Sequence, residues 1–98
     1  MKNRMRPVHP GEVLREEYLA PLGMSVNALA IALRVPAPRI NDIALERRSI
    51  SPDTALRLAR YFGGEAESWL RLQSLYDLKK AEAMAGDKIR QEIIPHAA

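Results

Sequence analysis

A chain of 98 residues, 47% hydrophobic and 28% charged, can bury one modest core, so a single domain is expected with little room for an enclosed active site. It has no cysteine, which excludes disulfides and thiolate metal centres and suits a reducing compartment. The formal charge of +3 is mildly basic, the opening MKNRMRPVHP lacks an apolar signal-like region, and no run reaches the roughly 18 apolar residues of a membrane span. A cytoplasmic protein with no membrane partner is expected.

Residues 1–8 are basic and interrupted by proline, and read as a flexible arm. Pro10, at the first helical position, opens a helix through about Leu19 with Val13, Leu14 and Tyr18 as its buried candidates, and Pro21-Leu22-Gly23 closes it.

Next, Ser25 stands where an N-cap belongs, and Val26, Leu29, Ala30 and Leu33 recur at i, i+3, i+4 and i+7, the stripe of an amphipathic helix. Arg34 and Val35 interrupt the pattern, which resumes with Ile40, Ile43 and Ala44 and leaves Arg39, Asn41 and Asp42 on the other side. With Pro36 near the N-cap, Pro38 falls in the first turn, where its missing N–H had no intrahelical partner anyway. Two short helices joined by a tight turn match a helix-turn-helix. Small Ala30 lets the second helix cross closely, Val35 fills the turn, and Ile40 with Ile43 holds the second helix so that its outer face can enter a major groove. The same spacing describes a plain helical hairpin in a small core, and spacing alone does not separate the two.

Ser51-Pro52-Asp53-Thr54 is a strong start signal, with Ser as N-cap, Pro at the first position and Asp against the helix dipole. Ala55, Leu58, Ala59 and Phe62 then face inward until Gly63-Gly64. A fifth helix is expected from about Ala66 to Ala85, with Trp69, Leu70, Leu72, Leu75, Tyr76 and Leu78 spread over more than one stripe, and Gly86 is expected to break it. The expected organisation is an arm over 1–8, a five-helix all-α domain over 9–85, and a short C-terminal extension over 86–98 that forms one short helix or an extended piece.

Charge favours the groove-entering reading. Between residues 34 and 60, Arg34, Arg39, Arg47, Arg48, Arg57 and Arg60 outnumber Asp42, Glu46 and Asp53, whereas the first helix carries Glu12, Glu16 and Glu17. Arg57 and Arg60 read as ordinary solvated face.

Four segments in order resemble one family: HPGEVLREEYLAPLGMS from His9, RVPAPRINDI, ISPDTALRLARYFG from Ile50, and ESWLRLQSLYDL from Glu67. The chain is similar to the HigA-type antitoxins, also called the virulence-associated VapI group, over about residues 8 to 80. The resemblance implies a Cro/C1-type, lambda repressor-like domain of five helices. It also implies a dimer that binds a HigB-like ribonuclease toxin and represses its own operon by binding double-stranded operator DNA.

Carried over residue by residue, the resemblance puts Ser25 and Asn27 against backbone phosphate at the start of the second helix. Pro36 stands at the entry of the reading helix, and Ala37, Pro38, Arg39 and Asn41 fall on its groove-facing positions. Arg grips guanine O6 and N7, and Asn pairs with adenine, both bidentate. Asp42, three residues after Arg39, either orients that arginine or contacts cytosine. Arg47 and Arg48 suit phosphate clamping or the solvation of a loop. Many related domains have Gly where Arg34 stands and Asn-Gly where Leu45-Glu46 stands, so the loop before Arg47 is expected to differ in shape.

His9 and Glu12 read as helix capping rather than half a metal site, and no metal ligand set, cofactor fingerprint or catalytic constellation can be assembled. No enzyme and no cofactor are expected. The acidic face of Glu12, Glu16 and Glu17 is either solvated surface or a dock for a basic toxin. Trp69, Leu72, Leu75 and Tyr76 are either core or a dimer seam, and because the apolar arc is wide they are expected to supply part of a homodimer contact. Two other functions fit the residues: a stand-alone phage- or plasmid-type repressor without a toxin, and an interaction adaptor that has lost DNA binding.

Overall fold

His9 and Gly11 start the fold. In the computed structural model, which describes residues 6–97, His9 caps the first helix: its Nδ1 accepts the Gly11 backbone N–H at 2.8 Å, and Pro10 follows at the first position, where no N–H is needed. The first helix, α1, begins as Pro10–Val13, continues as a π-helical stretch Leu14–Leu19, and ends with Ala20–Leu22. Leu14 and Leu19 are both buried although five residues apart, a spacing that leaves two α-helical side chains about 140° from each other. The wide turn, in which the Ala20 N–H bonds to the Arg15 carbonyl, brings both onto the core. It also loosens the turn ahead of Pro21, so the helix runs three residues past the expected end at Leu19. Gly23 stops it in the left-handed region.

Helix α2 is Val26–Leu33, with Ser25 Oγ accepting the Ala28 N–H at 3.0 Å; α3 is Ala37–Ala44, entered through Pro36 in an extended conformation. Helix α4, Pro52–Phe62, is capped by Ser51, and α5 is Ala66–Glu92. Helices α1, α2 and α3 end alike. The left-handed residue donates to a carbonyl three back and the next donates to one five back: Gly23 and Met24, Arg34 and Val35, Glu46 and Arg47. Arg34 (φ 60°) and Glu46 (φ 64°) therefore hold the conformation that glycine adopts most readily, at a cost of about 1–2 kcal/mol each.

One core joins the helices: Leu14 and Leu19 from α1, Leu29, Ala30 and Leu33 from α2, Ile40 and Ile43 from α3, Ala55 and Leu58 from α4, and Trp69 from α5. Tyr18 stacks obliquely on Phe62 and Trp69, with ring centroids 4.7 and 5.3 Å away. Buried Gln73 accepts the Ile50 N–H at 2.8 Å and donates to Asp77 at 3.1 Å, tying the α3–α4 loop to α5. Trp69, only 5% exposed, is spent on this core and leaves almost no surface for the subunit contact expected of it, whereas Leu75 and Leu78 of α5 are exposed.

Helix α5 passes through Gly86 instead of ending at Ala85. Glycine keeps both backbone hydrogen-bonding groups and costs a helix only about 1 kcal/mol, and the Arg90 side chain packs over it while pairing with Asp87. The helix stops at Ile93, two residues before Pro95, which disfavours helical geometry in the residue preceding it. The C-terminal extension is thus helical to Glu92. The expected basic arm falls outside the described residues as far as residue 5; of its remainder, Arg6 pairs with Glu12 at 2.8 Å.

His9 makes the cap pH-sensitive. Burial pushes its imidazole below the ordinary value, and its ring stands edge-on to Tyr76 with centroids 4.8 Å apart. Nδ1 accepts a hydrogen bond only in the neutral ring. The unfolded chain therefore takes up this proton first, and the His9 contribution is complete above about pH 6.5 and disappears as pH falls through the lower folded value. Thermal melts are expected to show the protein losing stability between pH 7 and 5 more steeply than its His9→Asn variant, which caps without titrating; parallel curves refute the assignment.

Candidate nucleic-acid interface

Helix α3 buries one face and presents the other. Ile40, Ile43 and Ala44 are buried, while Pro38, Asn41 and Leu45, at i, i+3 and i+7, are exposed. Leu45 was not among the expected site residues, although its spacing puts it on the exposed face of α3.

Val26 and Asn27 at the start of α2 and Ala37, Pro38, Asn41 and Asp42 of α3 line one open cleft of about 380 Å³. Five of the expected contact residues thus meet in one place. Ser25 lies just before them, with its hydroxyl already engaged as the α2 cap. Arg39 is on the other flank of α3. Its Nη1 donates to Asp53 Oδ2 at 2.8 Å, and with Arg48, Ser49, Ser51 and Thr54 it lines a smaller polar recess of about 210 Å³.

The pairings differ from the local expectation. Asp42 does not orient Arg39: the left-handed turn at Glu46 folds the chain back, so that the Arg47 N–H bonds to the Asp42 carbonyl and its guanidinium reaches the Asp42 carboxylate at 3.0 Å. Arg39 instead reaches the first turn of α4. Asp53 also accepts Arg57 Nε at 2.8 Å, and the two guanidinium groups hold its carboxyl below the ordinary range. Arg57 is not plain solvated face, since its Nη1 donates to the Leu33 carbonyl at the end of α2 at 2.9 Å. Arg48 is exposed and has no ionic partner among the described residues.

Arg15 of α1 reaches the other end of α3, donating to the Ala44 carbonyl and to Glu46 at 3.3 Å. The three glutamates of α1 are unequal. Glu12 is held by both Arg6 nitrogens and kept below its ordinary pKa by them, Glu16 pairs with Arg15 at 3.1 Å, and Glu17 is exposed with no ion pair among the described residues.

A helix-turn-helix family model matches residues 14–70. Virulence-associated protein I of Dichelobacter nodosus is 63% identical over 81 residues, covering 83% of this chain and 75% of the relative. The structure of Pseudomonas aeruginosa antitoxin HigA with the higBA promoter superposes with a TM-score of 0.91 at 51% identity, covering 94% of this chain and all of that one. That of antitoxin GraA in complex with its operator does so with a TM-score of 0.90 at 45% identity, covering 95% and 94% of the two chains.

Proposed function

Since the chain belongs to the Cro/C1-type helix-turn-helix family, in its HigA antitoxin group, we propose that it is the antitoxin of a toxin–antitoxin pair, binding the operator of its own operon as a dimer and neutralising a HigB-like ribonuclease toxin. The observation that carries the DNA-binding half is the exposed face of α3. Pro38 and Asn41 stand clear of the core directly beside the N-terminal turn of α2, whose backbone N–H groups favour a phosphate. Related HigA and GraA structures hold promoter or operator DNA. In this reading Asn41 and Arg39 read bases, Ser25 and Asn27 hold phosphate, and Arg47 and Arg48 clamp the flanking backbone.

One such helix covers too little DNA for tight specific binding, and two copies related by a two-fold axis place their reading helices about 34 Å apart on successive major-groove turns. Leu75 and Leu78 on α5, with half-buried Leu72 and Tyr76 beside them, supply apolar surface for that contact. The toxin half rests on the family. A basic nuclease fits the α1 face, with Glu17 its freest carboxylate.

Binding to DNA from upstream of the gene tests the reading. Asn41→Ala is expected to cost about 1–3 kcal/mol and to relax preference at one position per half-site, while Arg47→Ala weakens all sequences alike. Unchanged affinity and preference in Asn41→Ala shows that α3 does not read this DNA. Co-purification with a small basic protein encoded beside it tests the toxin half, and its absence leaves a stand-alone repressor.

A further inference from the structure

Arg39 is the one long cationic side chain on the reading helix, and a free arginine explores many rotamers, an entropy that must be lost before it can grip a base. Here it is already held. Asp53 takes Nη1, while the opposite edge of the guanidinium, Nε and Nη2, has no acceptor among the described residues. That edge is the side-on fork that meets two acceptors at once. Asp53 is itself fixed: its Oδ2 also binds Arg57 Nε at 2.8 Å, and Arg57 is anchored by the Leu33 carbonyl at 2.9 Å. A relay of three side chains therefore runs from the end of α2, across the first turn of α4, to the flank of α3. Arg39 is also only about a third exposed, at 32%, so it lies along the protein rather than extending into solvent.

We propose that Asp53 is a positioning residue for sequence readout, setting the Arg39 guanidinium so that its free Nε–Nη2 edge faces one guanine-like pair of acceptors in the major groove. This rests on the reading of α3 as the groove helix. Asp53 touches no base in this arrangement. Its carboxylate instead makes the protein selective twice over, by fixing the fork and by repelling phosphate from any register in which Arg39 is not engaged with a base. An aspartate in an otherwise basic region lowers affinity for DNA in general; Asp53 also complements the dipole at the start of α4, a role that Asp53→Glu keeps and that the test separates from selectivity.

The test compares the parent, Asp53→Asn, Arg39→Ala and the double variant on the operator, on operators substituted one base pair at a time, and on a scrambled duplex, all at one salt concentration. Asp53→Asn is expected to bind the scrambled duplex more tightly and to lose about tenfold in preference at a single base pair per half-site, the one that Arg39→Ala also loses. The double variant loses no more preference there than Arg39→Ala alone, as two groups acting through one contact require. Asp53→Glu, which keeps the charge and the helix-start dipole but moves the carboxylate outward by one methylene, is expected to melt like the parent and to relax the same base pair. Full preference in Asp53→Asn and Asp53→Glu, with Arg39→Ala still defective, overturns the role of Asp53 alone. A loss spread evenly over all positions overturns it too, assigning Asp53 to structure. Full preference in Arg39→Ala overturns the assignment of Arg39 as a reader and the proposal with it.

Discussion

Gly11→Ala is expected to lower the stability of the domain by about 3 kcal/mol or more, at or above the usual range for an overpacked interior. A Cβ at this position lies 1.8 Å from the Ile43 carbonyl oxygen and 3.1 Å from His9 Nδ1. The oxygen belongs to the backbone of α3, so no side-chain rotation relieves the clash; α1 and α3 must separate. The same movement breaks the His9 cap and draws Arg15 from the Ala44 carbonyl. For a chain of this length the loss corresponds to a fall of roughly 12–24 °C in Tm. Gly23→Ala is the comparison, because its φ of 60° gives strain but nothing lies within 4 Å of the added methyl; it is expected to cost only about 1 kcal/mol. If thermal melts place the two variants together, α1 and α3 are not in close contact at Gly11.

Ile40→Ala carries the second largest expected effect, about 2–5 kcal/mol, because the side chain is fully buried and the cavity left behind closes only in part. Against the roughly 5–15 kcal/mol that keeps a small domain folded, this is a large fraction. Denaturant titration is expected to show a lower midpoint with an unchanged slope, the sign of lost stability without a changed unfolded state. Ile31→Ala on α2, where the side chain is 70% exposed, is expected to stay within about 0.5 kcal/mol of the parent. In the proposed role of α3 as the reading helix, the functional consequence follows from the position of Ile40 between Arg39 and Asn41: a helix that rocks on its anchor holds neither side chain in register. Operator preference in the folded Ile40→Ala protein should therefore fall while binding to scrambled DNA is retained. Equal stability of the two variants would mean that α3 is not seated through Ile40.

What the sequence determined by itself was the caps and the apolar periodicity, which depend on neighbours within about one helical turn. Ser25 and Ser51 accept from the residue three ahead, and Ile40 and Ile43 recur on one face, because caps and periodicity are local in the chain; the left-handed turn at Arg34 was legible only through the family resemblance. The local rule failed where a competing partner arrived from afar. Asp42 sits three residues from Arg39, a fair helical pair, yet Arg39 bonds to Asp53 fourteen residues on, and the turn at Glu46 brings Arg47 to Asp42. Trp69 was expected to share in a subunit contact because the apolar arc of α5 is wide, and only the approach of Tyr18 on α1, itself stacked on Phe62 of α4, encloses it in the core. Gly86 and Pro21 read as breaks, since no local signal announces the arginine packed over the first or the π-helical turn that accommodates the second. Which arginines line the recess beside α4, which brace the helices, and why Gly11 tolerates no side chain were decided by helix crossings. Those depend on side-chain volumes meeting across the core, and a single strand of sequence does not display them.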